Sequence, residues 1–357
     1  MNRLCLWIGC LCCSLLAACN NLSEETIKQE AESGVVLIQN NSYYEVKFAD
    51  GETIYFKGID EEGNFEGLAT NRDSVEKNVS FGTGFFVSDD GLIATNAHVI
   101  TDMTGQKQLS QSVSNLMITL KRLFAEAYNE KRETLAEVER AFQIARYSNA
   151  VSYEQFYRIR DYRQALQQEL NEYVTIYNEL DNLRAEDTEI NYRNEISIAY
   201  NNTFITNPRD LAPCVVIDYD KEHDLGLLQL KDKQTPTGKH IFEVPAEDPL
   251  DNYSFQDNIT AKLSDDKNSK LFMIGYNLGP TLALTKEGVK SQFNSGSISQ
   301  QTKERLMYSI PSLPGSSGSP VLNLRGQLVA INYAGISTTQ NFNYGVRVKY
   351  LRNLLNR

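Results

Sequence analysis

From residue 35 onward the chain alternates short apolar runs with punctuation by Gly, Asn and Asp. Runs at 35–38, 43–48 and 53–56 are rich in β-branched and aromatic residues, and Asp50-Gly51 between the last two marks a hairpin turn. Runs at 85–87 and 92–95 flank Asp89-Asp90-Gly91 in the same way. Further strands are expected at 215–219, 225–230, 271–275, 288–299, 307–310, 320–322, 328–333 and 342–348, with a closing helix at 350–355. Many short strands with this punctuation point to an antiparallel barrel or sandwich.

One stretch breaks the pattern. No glycine occurs from residue 106 to residue 225, and no proline precedes Pro208. Both weaken a helix interior, so their absence over this span predicts helix. Leu109, Val113, Leu116, Leu120, Leu123 and Ala127 step by three and four, and Leu135, Val138, Phe142 and Ala145 resume the stripe. A second stripe runs through Ile159, Tyr162, Leu166, Leu170, Tyr173, Tyr177 and Leu180. Between them 147–150 reads as a turn, and Ser152 with Gln155 makes a capping box. The spacing predicts an antiparallel helical hairpin, 108–147 and 153–184, each arm about 50–60 Å long. Its apolar faces are read two ways: as a coiled coil for a protein partner or for self-association through 108–184, and as an insertion packing on itself and on the β domain. Residues 185–212 carry the chain back.

Length and composition narrow the class. The 357 residues suggest about two domains. Hydrophobic residues at 41% against 23% charged exclude a wholly disordered chain. A net charge of -11 argues against nucleic acid as a partner, because duplex binding needs a basic footprint. Three histidines leave little for a zinc site. Asp218, Asp220, Glu222 and Asp224 alternate like a calcium loop but lack its glycine and its closing glutamate, so no metal is expected.

Five of the six cysteines lie in the first nineteen residues, leaving only Cys214 beyond, so no disulfide framework can form within the mature chain. The start, Met-Asn-Arg followed by an apolar run to Ala18, reads as a signal peptide, too short to span a bilayer comfortably. Leu16-Ala17-Ala18-Cys19 resembles the lipobox of bacterial lipoproteins. That resemblance implies removal of 1–18, a lipidated Cys19, a polar tether over 19–34 and an extracytoplasmic place in the bacterial cell envelope, anchored to a membrane. An ordinary secretory signal cleaved near the alanines is the plainer alternative.

Three segments carry chemistry. Gly315-Ser316-Ser317-Gly318-Ser319-Pro320 sets a serine between glycines, a turn able to expose its oxygen and aim backbone N–H groups at a developing oxyanion. Thr95-Asn96-Ala97-His98-Val99 places a histidine just after an apolar run, and Asp224-Leu225-Gly226-Leu227-Leu228 puts an acid at the head of another. Singly, each has an ordinary structural role open to it: a surface turn, a satisfied histidine, a solvated strand-edge carboxylate. Together they stand in the order His, Asp, Ser.

With Gly82-Thr83-Gly84-Phe85, Tyr219-Asp220, Ile274-Gly275-Tyr276-Asn277 and Gly288-Val289, these segments resemble the trypsin-like serine proteases, most closely the bacterial HtrA/Deg type. The resemblance covers roughly 35–100 and 213–350. It implies a mainly β fold, a double β-barrel over 35–104 and 213–357, with the helical hairpin and return linker, 105–212, inserted between the catalytic His and Asp. It implies Ser317 as nucleophile, His98 as general base and Asp224 as its orienting acid, with the N–H groups of Gly315 and Ser317 as oxyanion hole. No cofactor is implied, and the substrates would be proteins or peptides. A pocket lined by Pro311, Ser312, Asn332, Tyr333, Ala334 and Gly335 would receive the primary side chain. It carries no acid, which argues for a small or apolar preference. The chain departs from the pattern in three respects: the long insertion, the lack of a PDZ-like module after the last strand, and Ser319 where many relatives have glycine. The rival reading is a vestigial or gated protease fold whose hairpin binds a partner protein.

Overall fold

The structure, a computed structural model, describes residues 21–147, 151–251, 269–333 and 343–357. The signal peptide, Cys19, the turn at 148–150, and Ala334 and Gly335 lie outside the described residues. The elements in chain order begin with helix α1 (Glu24–Ala31) and strands β1 (Val35–Lys47), β2 (Thr53–Phe56), β3 (Gly58–Ile59), β4 (Phe65–Glu66), β5 (Asn78–Phe86) and β6 (Leu92–Thr95). There follow α2 (Ala97–Ile100), the long helices α3 (Gln106–Tyr147) and α4 (Tyr153–Asn182), then β7 (Glu189–Tyr200), β8 (Ala212–Asp220), β9 (Leu225–Leu230) and β10 (Lys270–Gly275). The last part comprises α5 (Pro280–Ala283), β11 (Leu284–Thr285), β12 (Gly288–Val289), β13 (Gln292–Gln301), β14 (Arg305–Tyr308), β15 (Pro320–Leu322), β16 (Leu328–Tyr333), β17 (Asn343–Arg347) and α6 (Val348–Leu355).

The chain divides into two units. The first, 1–42, 79–103 and 194–357, holds two barrels. Strands run in the order β1-β5-β6-β9-β8-β7, and β7 pairs back with β1, closing a six-strand ring that carries β2 outside β1. The second barrel closes as β10-β13-β14-β17-β16-β15, antiparallel throughout. The double barrel expected from the sequence is therefore present.

Strand alternation explains how one chain fills three apolar interiors. Val36, Ile38, Phe86, Ile93 and Leu228 point into the first barrel, while their neighbours Val35, Leu37, Phe85, Ala94 and Leu227 face the other way. Those outward residues join Phe272, Ile274, Leu322 and Ile331 of the second barrel in a shared cluster, whereas Leu271, Met273 and Val321 fill the second barrel itself. Successive side chains of a strand face opposite ways, so a strand buried on both faces reads as an unbroken apolar run.

Several boundaries move. The expected strands at 35–38 and 43–48 are one strand, β1, because the polar residues between them are buried and bonded: Asn40 donates from Nδ2 to Val99 O at 2.9 Å. The expected polar tether over 19–34 contains α1, capped by Ser23 and burying Ile27 and Ala31 one helical turn apart. Its entry is tied down where Leu22 N donates to Leu324 O. The return segment contains β7, whose Ile196 and Ile198 belong to the core of the first barrel. Residues 194–212 accordingly fall in the barrel unit and not with the insertion, while 43–78 group with the helices.

The second unit, 43–78 and 104–193, holds the hairpin. Helix α3 has 42 residues and α4 has 30, about 63 and 45 Å at 1.5 Å per residue. Cross-helix ion pairs Lys121–Asp181, Lys131–Glu169 and Arg163–Glu139 show numbers rising on one arm as they fall on the other, the antiparallel register. The capping box is formed: Ser152 Oγ accepts from Gln155 N, and the Gln155 side chain accepts from Ser152 N. Leu109, Val113 and Met117, spaced by four, pack with Tyr44, Val46, Phe48 and Phe56 in a core of this unit's own.

Candidate active site

The histidine is placed by a strand-to-helix corner. β6 ends at Thr95, Asn96 is the N-cap residue of α2, and His98 stands in the first turn after a strand buried from Ile93 to Thr95. A carboxylate holds it at two points. Asp224 Oδ1 accepts the His98 backbone N–H at 2.8 Å, and Asp224 Oδ2 lies 2.6 Å from His98 Nδ1. Against an ionised carboxylate, which can only accept, Nδ1 is the donor of this pair, and in the neutral imidazole Nε2 then keeps its lone pair.

Asp224 itself sits at φ 53, a left-handed conformation that aspartate tolerates better than most residues. Asn96 secures it there by donating from Nδ2 to the Asp224 carbonyl at 2.8 Å. The carboxylate is buried and the imidazole one-third exposed, which leaves one ring edge accessible.

The serine loop is built by a different device, in which each carbonyl from 314 to 317 is bonded. Pro314 O accepts from Leu278 N at 2.7 Å, and Gly315 O accepts from the Thr83 hydroxyl at 2.8 Å. Ser316 O accepts from Ser319 N, from Ser319 Oγ at 2.6 Å and from Asn332 Nδ2 at 3.0 Å, while Ser317 O accepts from Thr83 N at 2.8 Å. A trans peptide is planar with its C=O and N–H opposed. Fixing the carbonyls of 314 and 316 thus turns the amides of Gly315 and Ser317 to the other side. Among the described residues neither amide donates a hydrogen bond, whereas those of Ser316, Gly318 and Ser319 all do.

Glycine is required here. Gly315 has φ +96 and Gly318 φ +88, and a Cβ on Gly318 would sit 2.1 Å from Thr83 O. Ser317 is buried apart from a small exposed fraction, 6%. Among the described residues no hydrogen bond joins its Oγ to the imidazole.

Other expected residues fall in different places. Ser312 and Asn332 face each other, with Asn332 Nδ2 donating to Ser312 Oγ at 3.0 Å and Tyr308 OH donating to Asn332 Oδ1 at 2.7 Å. Burial without a charged partner pushes the Tyr308 hydroxyl pKa well up, so it remains a donor. Tyr333 lies edge-on to the His98 ring, centroids 6.0 Å apart, and Pro311 is exposed. A cavity of about 350 Å³ opens beside the histidine, lined by His98, Asp224, Met103, Tyr333 and Tyr344, with Lys221, Glu222, Glu304 and Arg305 also on its wall. Cys214 is buried in the first barrel, which pushes its thiol up to about 12, outside any nucleophilic role at neutral pH.

Sequence reasoning missed Thr83, Asn96, Tyr276 and Asn277. Leu313 N donates to Asn277 Oδ1 at 3.0 Å, which holds the entry to the serine loop. The signal for Thr83 was present in Gly82-Thr83-Gly84: Cβ atoms there would meet Val99 at 2.5 Å and Ile93 at 2.7 Å, a mark of close approach by other chain segments.

The family model for the trypsin-like peptidase domain matches residues 175–331, somewhat under half of the chain. The match takes in Asp224 and Ser317 and begins beyond His98. Residues 175–331 are thus similar to the trypsin-like peptidase domain, and the described strands form a double-barrel fold. A similar solved structure is the serine endoprotease from Yersinia pestis, at 12% identity and a TM-score of 0.43. The alignment covers 94% of this chain and 66% of that one. No curated protein matches the sequence.

Proposed function

We propose that the protein is a serine endopeptidase that hydrolyses peptide bonds through an acyl-enzyme, with Ser317, His98 and Asp224 as its triad. The observation carrying this reading is the two-point grip of Asp224 on His98 together with the two undonated amides at Gly315 and Ser317. A serine hydroxyl is a weak nucleophile until a base takes its proton. With Nδ1–H committed to Asp224, His98 Nε2 is the free base. It accepts the Ser317 proton as Oγ attacks the carbonyl carbon, and later gives that proton to the departing amine. The negative oxygen formed in the attack is received by the N–H groups of Gly315 and Ser317, each such donor being worth roughly 3–4 kcal/mol in sites of this kind. Water, deprotonated by the same imidazole, then releases the acyl group. Asp224 remains ionised throughout and stabilises the imidazolium. No step needs a cofactor.

The lipobox supports a lipidated Cys19 and attachment to a membrane of the cell envelope on its extracytoplasmic side. A second reading, in which the hairpin serves a partner protein and hydrolysis is gated or vestigial, is favoured by the exposure of Ile144, Tyr147 and Tyr153 on the arms.

A fluorophosphonate probe separates the two. Wild type is expected to label at Ser317 and to cleave an unstructured protein substrate. Ser317→Ala should lose both, with the melting temperature nearly unchanged. A wild type that neither labels nor cleaves would sink the hydrolytic reading, and turnover surviving in Ser317→Ala would refute the serine assignment.

A further inference from the structure

His98 belongs to the first barrel and Ser317 to the second, and no direct bond between them fixes their separation. Something else must set it, and one side chain bridges the two. Thr83, on β5 of the first barrel, is wholly buried and uses every polar atom. Its N–H donates to Ser317 O at 2.8 Å, and its hydroxyl donates to Gly315 O at 2.8 Å while accepting from Tyr276 N at 3.0 Å. Its carbonyl accepts from the Thr95 hydroxyl at 2.7 Å, and Thr95 lies three residues before His98. Three hydrogen bonds therefore run from the strand that precedes the histidine, through Thr83, to both sides of the serine, and a fourth ties the same hydroxyl to Tyr276.

The hydroxyl is the part that only a side chain supplies. It is the one donor to Gly315 O among the described residues, and Gly315 at φ +96 has little conformational preference of its own to keep the turn in place. Removing the hydroxyl leaves a buried carbonyl and the buried Tyr276 amide without partners while the backbone bond to Ser317 O survives.

We propose that Thr83 is a positioning residue: its hydroxyl sets the register between the histidine of the first barrel and the serine loop of the second, and holds the Gly315 amide in line with that of Ser317. This inference rests on the hydrolytic reading above. Thr83 touches neither substrate nor the reacting atoms, so its loss acts on transition-state geometry and leaves ground-state binding largely intact.

The test compares full-length wild type, Thr83→Val and Thr83→Ser, all normalised by active-site titration. Thr83→Val keeps shape and loses the hydroxyl. Its kcat should fall about 10²-fold, the scale of an ångström-sized misplacement, with KM little changed. Affinity for a peptide boronate, which needs the same two amides, should fall in parallel. Thr83→Ser restores the donor and should restore kcat to within a few fold. Normal kcat in Thr83→Val, or no rescue by Thr83→Ser, would overturn the proposal. If Thr83→Val does not fold, Thr83→Cys replaces it as a similar-sized, weaker donor with an intermediate loss expected. Amide hydrogen exchange at Tyr276 gives a readout independent of activity: it should quicken in the variant lacking the hydroxyl. Equal exchange rates in both proteins would defeat the clamp even where wild-type labelling upholds the hydrolytic reading. Quickened exchange in a protein that never labels would keep the clamp and discard the enzyme.

Discussion

At the scale of single residues, charge and burial determine which groups are available for chemistry. The histidines illustrate this, since two of them are each held by one carboxylate at both the backbone N–H and the ring. His98 has both its backbone and its ring bonded to Asp224. His223, one position before that aspartate, is gripped by Asp220 in the same manner, through its N–H at 3.2 Å and its ring at 3.1 Å, but its ring is stacked on Tyr350 with centroids 3.9 Å apart. The third, His240, has its backbone N–H bonded to Ser33 Oγ and its ring set against Phe242. Burial holds its pKa below the usual histidine value of 6.5, with Glu30 opposing weakly.

The consequence for stability has a definite sign. As pH falls through about 6.5 the unfolded chain takes up this proton before the folded one does, so stability present above that pH is lost on the acid side. Replacing the group by His240→Gln removes the linkage. The expected outcome is a shallower fall of the urea midpoint between pH 7.5 and 5 than in wild type. Two equally steep profiles would show that His240 does not report its burial.

Elements owe their placement to what their apolar faces meet. α1 shows this well. Its composition is mostly polar and its sequence reads as tether, yet Ile27 is 1% exposed and Ala31 4%, both in the cluster shared by the two barrels. Truncating Ile27 to Ala removes three buried carbons and leaves a cavity, a change worth about 2–4 kcal/mol in a packed core. Urea denaturation of Ile27→Ala should show a loss of that size. A loss under about 0.5 kcal/mol, typical of surface substitutions, would mean that α1 is merely resting on the barrels.

The hairpin arms show the opposite balance. Their cross-helix ion pairs are largely exposed, and pairs of that kind are individually worth little. The arms therefore depend on Leu166, Leu170, Phe142 and Ala145, which are buried along the seam. They are among the residues that the three-four periodicity picked out, whereas Leu123, Tyr162 and Tyr177 of the same stripes are exposed.

On the scale of the whole molecule, two questions concern how the protein is held and what the insertion does. No helix among the described residues is long and apolar enough to cross a membrane. Attachment, on the lipobox reading, rests on Cys19 alone. Cys19→Ser is accordingly expected to abolish incorporation of labelled fatty acid and to move the protein from the membrane to the soluble fraction on fractionation. Unchanged membrane partition would remove the lipid anchor from the account. A variant with the arms shortened by matching deletions in α3 and α4 tests the insertion. Retained peptidase activity with loss of a co-purifying partner would make the arms an adaptor, and loss of activity in a folded protein would make them part of the gate.

The sequence by itself determined much of this protein. Period-two and period-3.6 patterns place most strands and both long helices to within a few residues, because those periods are fixed by backbone geometry and need no partner. His98, Asp224 and Ser317 could be named as candidates for a related reason: glycine flanks and strand-edge positions are local features, and their order along the chain adds information that no single motif holds. The tertiary structure alone decided the rest. α1 looked like tether and β7 like linker, since a short element whose few apolar residues are spread among polar ones is stabilised only when another surface covers them. Ser312 and Asn332, expected to line a pocket, are bonded to each other, a pairing across twenty residues that no local pattern announces. Thr83 is the clearest case: its flanking glycines signal a close approach but not its bonds, which exist only once Gly315, Tyr276 and Ser317, some 190 to 235 residues away, are folded against it.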